Sequence, residues 1–95
     1  MRLLSLVGTN MDLTEAIKQY VESKLEALEK LTVDFEPVAE LRVDVGKTTQ
    51  HHAKGPFFRC EMQLHVPGED FRVESENDDL YKSIDACKDL LRRRV

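Results

Sequence analysis

The sequence contains only two cysteines and no apolar run long enough to cross a membrane. Cys60 and Cys87 lie far apart without a C-x-x-C pattern, and both fall at positions of apolar periodicity. This placement favours buried free thiols over a disulfide. The apolar residues 1–7 are too few for a secretory signal followed by a cleavage site. We therefore predict a cytoplasmic protein without a membrane segment.

The sequence also lacks the motifs of common active sites. It contains no Gly-rich phosphate loop, no nucleophile elbow, and no Cys/His order with a supporting third residue. The acid pairs Asp78/Asp79 and Glu74/Glu76 are typical of a helix start and a solvated strand face. We predict no catalysis, no cofactor and no small-molecule substrate.

Two adjacent histidines leave a metal-dependent activity open as an alternative. His51 and His52 could begin a metal site with Cys60 or His65. Strand parity disfavours this site, because Cys60 is expected to face the core and His65 the opposite side of the sheet.

The length and composition indicate one folded domain spanning residues 1–95. The chain has 95 residues, of which 41% are hydrophobic and 34% charged, which is enough apolar material for a single core. The formal net charge of −4 argues, taken alone, against a nucleic-acid-binding protein.

Apolar periodicity predicts six elements in the order β-α-β-β-β-α. The first strand ends at Gly8 and has Leu4 and Leu6 on one face. The first helix starts at Asp12, paired with Glu15 in a capping-box-like pattern, and ends before Pro37. The other predicted elements are strands at residues 39–45, at residues 58–66 and from Phe71 onward, a turn at residues 67–70, and a helix opening at residues 77–79.

These elements predict an α+β fold. Antiparallel strands with one apolar face need a cover, and two amphipathic helices are available to supply it. We expect a four-stranded sheet with both helices packed on one face. The other face is expected to be solvated and of mixed charge.

The charge is unevenly distributed along the chain. Residues 47–59 carry three fixed positive charges and two histidines but no acid, and residues 88–94 carry four basic residues and one acid. The remainder carries 7 basic and 17 acidic residues. This distribution predicts binding of a polyanion at one end of the molecule. Because Arg92, Arg93 and Arg94 cannot share one helical face, at least one of them is expected to splay or fray.

Four stretches of the sequence carry a family resemblance. They are GTNMDLTEAI at residues 8–17, YVESKLEALEK at residues 20–30, LHVPG at residues 64–68 and DDLYKSID at residues 78–85. In this order and spacing they resemble the bacterial ribosome hibernation-promoting factor and ribosome-associated inhibitor A family, over essentially the whole chain.

The resemblance implies a fold similar to double-stranded-RNA-binding domains and no enzymatic activity. It implies binding in the small ribosomal subunit, where tRNA and mRNA would otherwise sit, so that idle or stressed cells keep their ribosomes silent. Because the sequence stops at Val95, it implies a short type, expected to be a monomer off the ribosome. Its basic helix positions carry over to Lys18, Lys24, Lys30 and Arg93.

The sequence departs from the family pattern in the second helix. Leu90 stands where relatives usually have a basic residue, Lys88 stands at a usually apolar position, and the basic tail beyond the helix is missing. Either the second helix is rotated slightly, or the RNA contacts are redistributed, with the loop at residues 51–54 as one candidate.

Our leading hypothesis is a translation inhibitor that binds the phosphates of ribosomal RNA. The alternative from another class is a protein-interaction module that keeps the fold but has reduced RNA affinity, favoured by the acidic remainder of the chain. The candidate RNA-binding residues are Lys18, Lys24, Lys30, Lys47, His51, His52, Lys54, Lys82, Lys88, Arg92 and Arg93.

Overall fold

The computed structural model describes residues 1–35, 39–48 and 57–95. Their order confirms the predicted β-α-β-β-β-α arrangement. The elements are β1 (Arg2–Thr9), α1 (Glu15–Glu29), a short 3-10 turn (Val33–Phe35), β2 (Glu40–Lys47), β3 (Phe58–Val66), β4 (Glu69–Asn77) and α2 (Leu80–Arg94).

The four strands form one sheet in the order β1-β2-β3-β4. β1 and β2 are parallel, whereas β2, β3 and β4 are joined as antiparallel neighbours. A parallel pair needs a crossover connection, which α1 provides. These strand directions bring the carboxyl ends of β1, β2 and β4 to the same end of the sheet. Both helices therefore begin at that end and run in the same direction.

A two-residue turn, Pro67–Gly68, joins β3 to β4. Val66 pairs with Glu69 across it, so β4 begins two residues earlier than the predicted Phe71. Gly68 has a φ of 83°, which glycine adopts without a steric penalty. The turn predicted at residues 67–70 is confirmed, in a tighter form.

Two boundary predictions near the N-terminus are wrong. The register of β1 shifts between Leu3 and Ser5, so Leu3 and Leu6 pack against the core in place of Leu4 and Leu6. An irregularity of this kind adds one residue and breaks the two-residue alternation. Thr14, and not Asp12, caps α1: its extended backbone lets its hydroxyl accept from the Ile17 amide at 3.2 Å.

One hydrophobic core lies between the helices and the inner face of the sheet. Each helix contributes a buried stripe, and β2 and β3 contribute alternate residues, as expected for helices packed on one face. Each such side chain stabilises the fold by about 1.5–3 kcal/mol when fully buried. The helix residues are Ile17, Val21, Leu25, Leu28, Leu80, Ile84, Cys87 and Leu91.

Both cysteines are buried in this core as free thiols, as predicted. The Cys87 thiol donates to the Cys60 carbonyl oxygen at 3.4 Å. The pKa of Cys60 lies above its usual range because of a hydrogen bond with the Cys87 thiol and because of burial. The Cys60 thiol is therefore protonated, and both thiols are shielded from solvent.

Among the described residues, neither helix has the length and apolar composition of a membrane-spanning segment.

Gly46 is needed where the ends of β1 and β2 approach most closely. A Cβ atom at this position would stand 2.4 Å from the Thr9 carbonyl oxygen. We predict that Gly46→Ala lowers the free energy of unfolding by about 1–3 kcal/mol in urea titrations, because the strands must separate to admit the methyl group. Gly68→Asn is the control, since asparagine tolerates positive φ and no atom lies within 4 Å. Equal urea midpoints for the two variants would contradict the prediction.

Candidate nucleic-acid interface

The three lysines of α1 that the resemblance assigns to RNA lie on three different sides of the helix. Lys18, Lys24 and Lys30 are six residues apart, a step of one full turn and about 240° more. Lys24 faces α2, where its ammonium nitrogen lies 3.5 Å from a carboxylate oxygen of Asp85. Lys18 lies on the opposite flank, and Lys30 is the exposed C-cap residue. These lysines do not form a single RNA-binding face.

On helix α2, unlike on α1, two of the candidate basic residues lie on the same side of the helix. Lys82 and Arg93 are both exposed and stand eleven residues apart, which is close to three full turns and places them on the same side. Arg92 follows Asp85 by seven residues and therefore lies on the side that faces α1. Exposed positive charge thus runs along α2 and increases toward its C-terminus.

Of the two outcomes expected for the three terminal arginines, the structure shows that they splay and do not fray. Helix α2 continues through Arg94, and the Val95 amide donates to the Leu91 carbonyl oxygen at 3.2 Å. Leu91 is fully buried and anchors this last turn. The three arginines therefore remain helical and point in different directions, and each of them is exposed.

The C-terminal ends of the two helices lie at the same end of the molecule. Both helices begin at one end of the sheet, and Tyr20 near the middle of α1 contacts Asp85 near the middle of α2. Lys30 is therefore grouped with Arg92 and Arg93. Helix dipoles alone favour cations here, by about 0.3–1 kcal/mol each. Within the described part of the chain, however, neither arginine forms an ion pair, so both are available to an external anion.

Lys88 differs from these arginines, because its charge is already paired. Its side chain is only 18% exposed, and its ammonium lies 3.1 Å from Asp89. The Lys88 hydrogen bond, with the nearby charges of Arg92 and Arg93, lowers the pKa of Asp89. Lys88 thus buries much of its alkyl chain while Leu90 is 36% exposed. The unusual residues at these positions are accommodated without exposing a further free cation.

A polar cluster that the sequence analysis did not identify joins the middle of the helices. The Tyr20 hydroxyl donates to both carboxylate oxygens of Asp85 at 2.8 Å, which together with partial burial raises the pKa of Tyr20 to about 12. The Lys24 ammonium lies 5.0 Å from the Tyr20 ring centroid, and Tyr81 packs edge-on against that ring at 4.6 Å. The signal in the sequence was the four-residue spacing of Tyr20 from Lys24 and of Tyr81 from Asp85, which places each pair on one side of its helix.

Lys47 lies at the other end of the molecule from the terminal arginines. It is exposed and pairs with Phe58, whose carbonyl oxygen accepts from Ser83 in the first turn of α2 at 2.8 Å. Ten residues of α2 separate Ser83 from Arg93, a distance of about 15 Å. Lys47 and the terminal arginines therefore do not share one end of the molecule, contrary to the expectation of a single basic end. His51, His52 and Lys54 lie outside the described residues.

The outer face of the sheet carries paired charges. Arg59 lies 2.9 Å from Glu61 and 2.8 Å from Glu74, and Arg72 contacts the same two carboxylates. The predicted face of mixed charge is thus confirmed. Further acids on it are Glu40, Asp44 and Glu76, so this face would repel a polyanion.

The proposed metal site gains no support from the described residues. His65 lies on the outer face, 2.5 Å from Asp70, whereas Cys60 is buried on the inner face, as strand parity predicted. Within residues 1–35, 39–48 and 57–95 there is no cluster of three metal-ligating side chains. His51 and His52 lie outside these described ranges.

The fold is similar to that of two solved structures. The crystal structure of the Thermus thermophilus Protein Y N-terminal domain matches with a TM-score of 0.78 and 35% identity, over 99% of this chain and 94% of that one. A ribosomal subunit interface protein from Coxiella burnetii matches with a TM-score of 0.75 at 17% identity, which shows the fold alone.

Residues 4–95 match the family described as Sigma 54 modulation protein / S30EA ribosomal protein, and the chain belongs to this family. It is 34% identical over 95 residues to a ribosome hibernation promotion factor of Deinococcus radiodurans, covering all of this chain and 48% of that protein. It is 30% identical over 94 residues to a ribosome hibernation promoting factor of Azotobacter vinelandii, covering 97% of this chain and 78% of that protein. The chain therefore spans about half the length of the Deinococcus relative.

The charge network on the sheet predicts a specific response to acid. The hydrogen bond from Arg59, with the charge of Arg72, lowers the pKa of Glu74. A lowered pKa contributes stability that is present above the ordinary glutamate pKa and lost as pH falls through the lowered value. We predict that Glu74→Gln reduces the loss of stability between about pH 5 and 3, by less than about 1 kcal/mol because the side chain is 39% exposed.

Urea midpoints at both pH values measure this effect. Glu76→Gln is the control on the same face of β4, where the described residues show no ion pair. If both variants change the acid sensitivity of stability equally, the effect at Glu74 does not arise from its contacts with Arg59 and Arg72.

Proposed function

We propose that this protein is a ribosome hibernation factor that binds the small ribosomal subunit and inhibits translation in idle or stressed cells. Membership of the family carries this proposal, together with the curated relatives named as ribosome hibernation factors. The proposal includes a cytoplasmic location, contact with ribosomal RNA, a monomer off the ribosome and no enzymatic activity.

The distribution of charge supports RNA as the direct ligand. The exposed arginines of α2 and Lys30 meet at one end of the helical layer, while the sheet on the opposite side is acidic and self-paired. Phosphates approaching the helical side are attracted and those approaching the sheet are repelled, which orients the encounter. A net charge of −4 is thus compatible with RNA binding at one defined surface.

The residues proposed to contact phosphates fall into two groups. Lys30, Lys82, Arg92 and Arg93 form the main group on the helical side, with Lys18 on the far flank of α1. Lys47 at the end of β2 belongs to a second group, whose other candidates from the sequence, His51, His52 and Lys54, lie outside the described residues. An RNA site that meets both groups must follow the length of α2, which is about 22 Å.

Occupation of the site where tRNA and mRNA would sit explains how binding inhibits translation. Inhibition then needs no chemical step, since two ligands cannot fill one space. This mechanism requires neither a cofactor nor a small-molecule substrate.

The acidic outer face of the sheet favours a second candidate function. A protein with a basic surface would complement the carboxylates that the network of Arg59 and Arg72 leaves unbalanced, such as Glu40 and Glu76. A pull-down that enriches one protein partner and persists after nuclease treatment would favour this protein-interaction module over RNA binding.

Co-sedimentation with purified small ribosomal subunits tests the leading proposal. We expect binding at low salt that weakens steeply as salt rises, because phosphate contacts release counterions. The double variant Arg92→Gln/Arg93→Gln is expected to lower the slope of log affinity against log salt by about 1.4–1.8, at about 0.7–0.9 per lost contact.

Arg42→Gln is the matched control, since Arg42 is exposed on the outer face of the sheet. It should leave the slope unchanged, and urea titrations should show all variants folded. The absence of co-migration at low salt would refute the proposal.

A further inference from the structure

The polar cluster between the helices changes the role expected of Lys24. In this cluster the two carboxylate oxygens of Asp85 on α2 share the single O–H donor of Tyr20, and the same carboxylate pairs with the Lys24 ammonium. Tyr20 and Lys24 are one turn apart on α1, so a single carboxylate holds two successive turns of the neighbouring helix. The side chains of Lys24 and Asp85 are 31% and 42% exposed, so the pair is accessible to an incoming ligand.

A phosphate that approached Lys24 would meet a neutral pair and not a free cation. The Asp85 carboxylate lies 3.5 Å from the ammonium and would repel the phosphate. To reach RNA, Lys24 would have to leave Asp85 and the face of the Tyr20 ring, losing an ion pair and a cation–π contact. Arg93 has no such competing contact within the described residues.

We propose that Lys24 is an interhelical positioning residue and not a phosphate contact. With Tyr20 and Asp85 it forms a clamp that sets the distance between the basic ends of α1 and α2. The clamp sets this spacing together with the Tyr20–Tyr81 ring contact and the shared core, since no other hydrogen bond or ion pair joins the two helices in the described part of the chain. The effect on RNA binding rests on the proposed function, whereas the clamp itself does not.

The salt dependence of binding separates a positioning residue from a phosphate contact. In equilibrium titrations with small ribosomal subunits, Arg93→Gln should lower the slope of log affinity against log salt by about 0.7–0.9. Lys24→Gln should leave that slope unchanged, because it removes a charge that Asp85 already neutralises. Tyr20→Phe should also keep the slope while weakening affinity about threefold, since the basic ends are held less firmly.

A double-mutant cycle tests the clamp without the ribosome. Tyr20→Phe and Asp85→Asn are combined, and the unfolding equilibrium constant is measured in urea. We expect a coupling of about five- to tenfold, the range for a partly exposed hydrogen bond to a carboxylate. Tyr81→Phe with Asp85→Asn is the matched control; the hydroxyl of Tyr81 makes no hydrogen bond in the described structure, so this pair should be additive.

Two results would overturn the proposal. A fall in slope for Lys24→Gln as large as that for Arg93→Gln would make Lys24 a phosphate contact. If the effects of Tyr20→Phe and Asp85→Asn on the unfolding free energy are additive, the two residues are not coupled and the proposed clamp is disproved. If the unchanged protein fails to bind small subunits, the proposed function is refuted, and the unfolding cycle still decides whether the clamp exists.

Discussion

Parallel pairing between β1 and β2 obliges the chain to return across the sheet through α1, because no short turn can join parallel neighbours. The two antiparallel connections that follow bring β4 back to the end of the sheet where β1 finishes. The second helix must therefore start beside the first and run the same way. From this constraint follow the single core, the contact between the two helices, and the grouping of their C-terminal ends.

The same topology separates the charges of the chain into surfaces with different properties. On the sheet, cross-strand pairing places Arg59 and Arg72 beside Glu61 and Glu74. Local ion pairs therefore neutralise the charges of both arginines. On α2, Arg92 and Arg93 follow one another at the end of a helix, one turn after Asp89, and neither forms an ion pair within the described residues. The net charge describes neither surface, because an ion or a nucleic acid responds to the local arrangement of charge.

Lys24 and Arg93 show why residue type alone does not identify a contact. Both are cations on helices that the family resemblance associates with RNA. Arg93 faces solvent, whereas Lys24 lies between Asp85 and the ring of Tyr20. The difference arises from the neighbouring helix, which places a carboxylate near one cation and not near the other.

Periodicity predicted the element order, the inward faces of β2, β3 and both helices, and the burial of both cysteines. It failed locally where one residue changes the phase: the irregularity at Leu4 shifts β1, and Thr14 caps α1 two residues beyond Asp12. Such details depend on how strand and helix meet the core. The apolar pattern along a short segment does not contain information on how that segment packs against the core.

The sequence by itself determined which residues face the core, since burial follows from the spacing of apolar side chains along each element. It also determined which segments are basic. Only the tertiary structure decided that Lys47 and the terminal arginines lie at opposite ends of α2 and that Lys24 is paired across to Asp85. The physical reason is that electrostatic interactions depend on distances through space between residues remote in the chain, and those distances are set by strand direction and helix packing.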